Sequence, residues 1–151
     1  MQRRKGFTLV EILVSTAIMA IAITSTLQIL MYLLQMNEAN QVSVACMNRA
    51  QGIMDEIKRV NYDDVITLYN GNQFTVAELT SRNVRHSGVI YANEIEADFL
   101  IDIKVVISWG NRNRIIGEDT NLNGVLDIGE DLNGNGQIDS PVMIEGTILN
   151  R

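Results

Sequence analysis

The chain opens with Met1-Gln-Arg-Arg-Lys-Gly-Phe-Thr-Leu-Val-Glu11, and a largely apolar run from Ile12 to Met36 follows. That run has about 25 residues, enough for a helix to cross a bilayer core of ~30 Å at ~1.5 Å per residue. One acid, Glu11, stands directly before the run. An ionised carboxylate at membrane depth is costly unless it is paired, so Glu11 is predicted to have a functional partner.

The order of these segments differs from that of a secretory signal peptide, in which the cleavage site follows the apolar region. Here Gly6, the residue that would mark a cleavage point, lies ahead of the apolar run, so cleavage there would keep the helix. The motif Lys5-Gly6-Phe7-Thr8-Leu9-Val10-Glu11, with the apolar run behind it, resembles the class III leader of type IV pilins and type II secretion pseudopilins. The resemblance covers residues 1–36.

The resemblance implies a processing site and an assembly site. Residues 1–6 would be the leader, removed by prepilin peptidase after Gly6, and Phe7 would become the methylated N-terminal residue. Glu11, with its neighbour Thr8, would serve assembly. Cleavage creates a charged amine on Phe7 that the Glu11 of a neighbouring subunit would neutralise inside the filament, where an unpaired charge is unfavourable.

The resemblance also implies partners and a location. The partners are other pilin or pseudopilin subunits, prepilin peptidase, an inner-membrane assembly platform, and membrane lipid before assembly. The chain would cross the inner membrane once with its head in the periplasm, and would then enter a periplasmic pseudopilus or an extracellular pilus. An unbroken helix and the lack of a disulfide resemble a minor pilin or pseudopilin more than a major pilin.

A different interpretation remains open for the N-terminus. A plain signal anchor would use Arg3, Arg4 and Lys5 as positive-inside flanking charges, although it gives Glu11 no role. Such an anchor would hold a calcium-dependent binding or adhesion module that is not assembled into a filament.

Composition limits the remaining function classes. With 151 residues the chain has room for one small domain and an anchor. Its net charge of −6 argues against nucleic acid as a partner. Cys46 is the only cysteine, so no intramolecular disulfide is possible, and His86 is the only histidine, which excludes multi-histidine metal sites. No recognisable nucleophile-base motif or phosphate-binding loop points to an enzyme.

Helical periodicity continues beyond the apolar run. It predicts one helix from Phe7 to about Val60, with a transmembrane and assembly half over residues 7–36 and a second half in a globular head over residues 37–151. The apolar positions of the second half are predicted to lie on one face: Ala39, Val42, Cys46, Ala50, Ile53, Ile57 and Val60.

Strand patterns follow the helix, and the predicted fold class is α+β, a long N-terminal helix packed on a small antiparallel sheet. Asn70-Gly71 between Val65–Tyr69 and Gln73–Val76 predicts a hairpin, and the polar stretch Thr80–Ser87 predicts a loop. Arg114–Ile116 and Val142–Leu149 are predicted as later strands. The strongest strand alternates a mixed face with a wholly apolar one, predicted to pack on the helix: Phe99, Ile101, Ile103, Val105, Ile107 and Trp109.

Between the last two predicted strands, residues 118–139 contain an acidic repeat. Its first copy fits the calcium-loop pattern D-x-[DN]-x-[DN]-G-x₅-E without a mismatch. Alternate oxygen ligands on a loop turned at a glycine are the arrangement that calcium takes. The predicted ligands of the first copy are Asp119, Asn121, Asn123, the carbonyl of Val125, Asp127 and Glu130. A second copy begins twelve residues later and uses Asp131, Asn133, Asn135, Gln137 and Asp139.

The second copy lacks the closing glutamate, because Val142 occupies that position. It is therefore predicted to be weaker than the first or merged with it. An Asn/Asp/Gly-rich turn segment without metal is the alternative, but its acids have no Lys or Arg among them and would repel one another without a cation. We predict that calcium fixes the C-terminal region against the sheet, and that Leu126 and Ile138 anchor the segment to the head.

Overall fold

The computed structural model describes residues 6–150, so Arg3, Arg4, Lys5 and most of the predicted leader lie outside the described residues. Helix α1 spans Leu9–Ile57, within a few residues of the prediction. The chain divides into two compact units, one up to Asn40 and one from Gln41 onwards. In the first unit the apolar side chains from Phe7 to Met36 are exposed, and α1 is long and apolar enough to cross a membrane.

The second unit is the head, and α1 contributes one face of its core. The buried residues of this part of α1 are Ala45, Cys46, Ala50, Ile53, Met54 and Ile57. Val42 and Val60 pack against the same cluster. The predicted apolar face is thus confirmed within the head. Cys46 is fully buried, and burial raises the pKa of its thiol to about 12, as expected for an unreactive cysteine.

Five antiparallel strands form the sheet of the head: β1 Gln73–Phe74, β2 His86–Glu96, β3 Leu100–Asn111, β4 Arg114–Ile116 and β5 Val142–Leu149. The long strand β3 is central, because β2 pairs with one of its edges while β4 and β5 share the other. The α+β prediction is confirmed, as are the strands predicted at β3, β4 and β5.

The apolar face of β3 packs in the same core as α1. Ile101, Ile103, Val105, Ile107 and Trp109 are buried there. Phe99 precedes the strand and is half exposed. Alternation therefore predicted the core face of the sheet, apart from its first residue.

The predicted hairpin at Val65–Tyr69 is wrong. These residues end helix α2, Tyr62–Tyr69, in which Val65 is buried. Although β-branched residues favour strands, a helix places Val65 beside Ile66 and Tyr69 on the side that packs on the core. Gly71 has φ +73 but Asn70 has φ −64, so the turn lacks the two positive φ angles of type I′. Strand β1 pairs with β2 instead.

The predicted loop at Thr80–Ser87 is wrong at both ends. Helix α3 covers Ala77–Ser81, and β2 begins at His86. The backbone N–H of Val76 donates to Nε2 of His86 (2.9 Å). The Nδ1 atom of the same histidine lies 2.8 Å from the carbonyl oxygen of Val84. The only histidine of the sequence is therefore held by backbone groups.

The acidic segment covers the second face of the sheet. Ile138 is buried with Val89 of β2 and Val106 of β3, and Tyr91 and Leu126 pack against them. In addition, the backbone N–H of Ile138 donates to the Tyr91 hydroxyl (3.0 Å). The predicted anchoring of the segment through Leu126 and Ile138 is confirmed, and the sheet lies between this segment and the head part of α1.

Candidate functional site

The start of α1 is capped by the residue that follows Phe7. The Thr8 carbonyl accepts the backbone N–H groups of Glu11 (3.1 Å) and Ile12 (3.2 Å), and the Thr8 hydroxyl lies 3.3 Å from the Glu11 nitrogen. A threonine at this position satisfies an N–H group that the first turn of a helix leaves free. The helix thus begins two residues beyond the predicted new N-terminus.

Phe7 and Glu11 are both available to a neighbouring chain. Phe7 is 81% exposed, and Glu11 lies on the exposed surface of the first turn. Among residues 6–150 no basic side chain lies within ion-pair distance of the Glu11 carboxylate. The carboxylate at the head of the apolar helix is therefore unpaired within the described part of the chain.

The first acidic loop is closed by two buried carboxylates. Asp119 is 1% exposed and accepts the backbone N–H groups of Asn123 (3.0 Å) and Gly124 (2.8 Å). Glu130 is 4% exposed and accepts the Thr120 backbone N–H (2.7 Å), the Thr120 hydroxyl (2.6 Å) and the Asp127 backbone N–H (3.1 Å). The hydrogen bonds from Thr120 are the main cause that lowers the pKa of Glu130, so it is ionised at neutral pH.

The side chains between these two carboxylates converge on Asp127. The side-chain amides of Asn121 (2.7 Å) and Asn123 (2.8 Å) both donate to Asp127 Oδ2. Gly124 makes the turn at φ +74. A Cβ added there would lie 2.8 Å from Gln73 and Ser87 atoms, so both backbone conformation and space require glycine.

The second loop repeats this arrangement. Asp131 accepts the backbone N–H groups of Asn135 (3.0 Å) and Gly136 (2.9 Å), and the amides of Asn133 and Asn135 donate to Asp139 Oδ2. The backbone N–H of Gln137 donates to the Asn135 side chain (2.8 Å). Each predicted side chain thus takes an equivalent place in the two copies, except at the closing glutamate.

A basic residue that the sequence pattern did not assign to this segment lies at the second loop. The buried Lys104 of β3 forms an ion pair with Oδ1 of the partly exposed Asp139. Burial alone would raise the pKa of Asp139, but the hydrogen bonds from Lys104 and Asn133 outweigh burial and lower it. The alternation of β3 placed Lys104 on the mixed face of the strand, and only the fold brings that face against the acidic segment.

The donor chemistry of the first loop fits calcium, which prefers carboxylate, amide and carbonyl oxygens. Within residues 6–150, no group of three His, Cys, Asp or Glu side chains is placed to hold a metal ion. A calcium ion here would therefore use the Asn121 and Asn123 amide oxygens and the Val125 carbonyl together with the carboxylates.

Comparison with known families defines the class of the N-terminal segment. The model of the prokaryotic N-terminal methylation motif matches residues 1–27. The predicted class III leader is confirmed, and this segment is similar to that of type IV pilins and pseudopilins. No curated protein and no solved structure matches the chain.

Proposed function

We propose that the chain is a structural subunit, a minor pilin or pseudopilin, of a type IV pilus or type II secretion pseudopilus. The carrying observation is the methylation motif, which leads directly into a capped helix with an exposed apolar surface. Prepilin peptidase cuts after Gly6, the head lies in the periplasm, and the subunit joins its filament through α1. The long uninterrupted α1 and the single free cysteine, Cys46, support the minor-pilin or pseudopilin subclass.

Glu11 is the assembly residue of this proposal. Its carboxylate is unpaired within the described chain, while the exposed Phe7 would carry a positive amine after cleavage. In a filament the amine of one subunit lies against the Glu11 of another. That pairing removes the cost of an isolated charge in an apolar environment.

Glu11→Ala tests this role in cells that make the filament. Membrane insertion should be unchanged, because the apolar run is intact, whereas the fraction recovered in filaments should fall strongly. Glu38→Ala is the matched control, since Glu38 is an exposed acid further along the same helix, and it should be incorporated normally. Normal incorporation of Glu11→Ala would count against the assembly role.

We also propose that the first acidic loop binds calcium and that the ion stabilises the head. The ligands are those predicted from the sequence, from Asp119 through the Val125 carbonyl to Glu130. Support comes from the two buried carboxylates, the convergence of side chains on Asp127 and the attachment of the segment to the sheet. Calcium would secure the C-terminal region, which no intramolecular disulfide can hold, because Cys46 is the only cysteine.

Thermal melting of the full chain in detergent tests the calcium site. Trp109 is the only tryptophan and is buried in the head core, so its fluorescence reports head unfolding. Calcium at a hundredfold excess over its dissociation constant would add ~2.7 kcal/mol to the free energy of unfolding. Calcium should therefore raise the melting temperature above the value in chelator, and Glu130→Gln should reduce that difference. Equal melting temperatures of the unaltered chain in calcium and in chelator would refute the site.

A further inference from the structure

The two acidic loops have similar patterns of hydrogen bonds, but they differ in charge. In each loop the first aspartate accepts the backbone N–H groups of the residues four and five positions further on, and Asp131 also accepts that of Gly134 (2.7 Å). Two asparagine amides donate to the last aspartate, which is Asp127 in the first loop and Asp139 in the second. Asp139 alone also has a basic partner. Lys104 of β3 pairs with its second carboxylate oxygen, and this is the only ion pair among residues 6–150.

The backbone of Asp139 is also held by a residue from outside the second copy. Its N–H donates to Glu118 Oε2 (3.0 Å), as the Asp127 N–H donates to Glu130 Oε2 (3.1 Å) in the first loop. The Glu118 N–H in turn donates to the Asp139 carbonyl (2.8 Å). Glu118 therefore makes the contact to the second loop that Glu130 makes to the first, whereas Val142 at the closing position is buried in the core cluster.

We infer that the ammonium group of Lys104 takes the place of a metal ion in the second loop. The second loop is then closed without metal, and the first loop binds the calcium ion. The Lys104 side chain is only 7% exposed. A buried ammonium needs a paired carboxylate, and a divalent cation placed on Asp139 would repel it at short range. The inference that the chain binds one calcium ion rests on the proposed calcium site. The contribution of the Lys104–Asp139 ion pair to stability does not.

Native mass spectrometry of the full chain, released from detergent micelles in the presence of calcium, tests the assignment of the ion. We expect one calcium per chain, retained in Asp131→Asn and lost in Asp119→Asn. Two ions in the unaltered chain, or one that is lost in Asp131→Asn and kept in Asp119→Asn, would overturn the inference while leaving calcium binding intact.

A double-mutant cycle in chelator tests the ion pair independently of calcium. Lys104→Met and Asp139→Asn should each lower the urea midpoint reported by Trp109, and the double variant should lower it by clearly less than the sum. Lys58→Met is the control, since Lys58 is exposed, and it should leave the midpoint unchanged. Additive effects of the Lys104 and Asp139 substitutions would overturn the role of Lys104. If the unaltered chain binds no calcium but the cycle shows coupling, only the calcium proposal fails.

Discussion

Replacing Ile138 by alanine removes the main apolar contact between the acidic segment and the sheet. Ile138 is 1% exposed, and among residues 6–150 the cluster around it has two other buried members, Val89 and Val106. Truncating a buried isoleucine to alanine costs about 2–5 kcal/mol, depending on how far the site collapses. Since one wall of this cluster is a loop that can relax into the space, we expect a loss of about 2–3 kcal/mol in the free energy of unfolding.

Urea unfolding of the full chain in detergent measures this loss through the Trp109 fluorescence. With an m value of ~1–3 kcal/mol/M, the midpoint should fall by about 1 M or more. Ile128→Ala is the matched control, because Ile128 belongs to the same segment but is fully exposed, and such surface changes stay within about 0.5 kcal/mol. If Ile138→Ala behaved like Ile128→Ala, the segment would not be packed on the sheet and the account of the C-terminal region would be refuted.

The remaining predictions use the same unfolding measurement. Gly124→Ala should destabilise the head more than Gly136→Ala, because both glycines have φ +74 but only Gly124 has neighbours within 3 Å of an added Cβ; equal losses would contradict the close approach. Ser108→Ala should leave the stability unchanged or raise it, since the buried Ser108 hydroxyl has no hydrogen-bond partner among the described residues and removing such a group relieves a desolvation cost; a loss above about 1 kcal/mol would show that the hydroxyl is paired. The pKa values of Glu130 and Asp139 in the folded chain lie below the ordinary values of 4.5 and 3.8. The two carboxylates therefore contribute fully to the free energy of unfolding above the ordinary values, and this contribution is lost as the pH falls through the folded pKa values. Urea midpoints should hold between pH 7 and about 5 and fall below about pH 4, and a midpoint that is constant down to pH 3 would contradict this.

The helix and the central strand were predictable because their residues in the main core cluster recur at a regular period. The stripe of α1 from Cys46 to Ile57 recurs at three- and four-residue steps, and β3 alternates strictly over its core face. The Asn70-Gly71 turn signal was misleading for Val65–Tyr69, where packing on the core favours a helix over the local β preference. In β2 the buried run from Ser87 to Ile90 includes a serine and a glycine, so neither face reads as apolar from the sequence.

The two similar loops of the acidic segment were predictable because the spacing of their Asp, Asn and Gly residues is local, and the packing of Leu126 and Ile138 followed from their equivalent places in the repeat. The contact of Lys104 with Asp139 could not be predicted from the sequence, since 35 residues separate the two. It depends on which face of β3 the acidic segment covers, and that is fixed by the whole sheet rather than by a motif.

The central claim is that the N-terminal segment is processed and then assembled, and the intact mass of the chain recovered from its host tests this most directly. We expect one species that begins at Phe7 and has a single added methyl group, in membranes and in filaments alike. A host without prepilin peptidase should yield only the unprocessed chain. Recovery from a host with active peptidase of a chain that still begins at Met1 and is found only in membranes would contradict the claim and favour a permanent anchor.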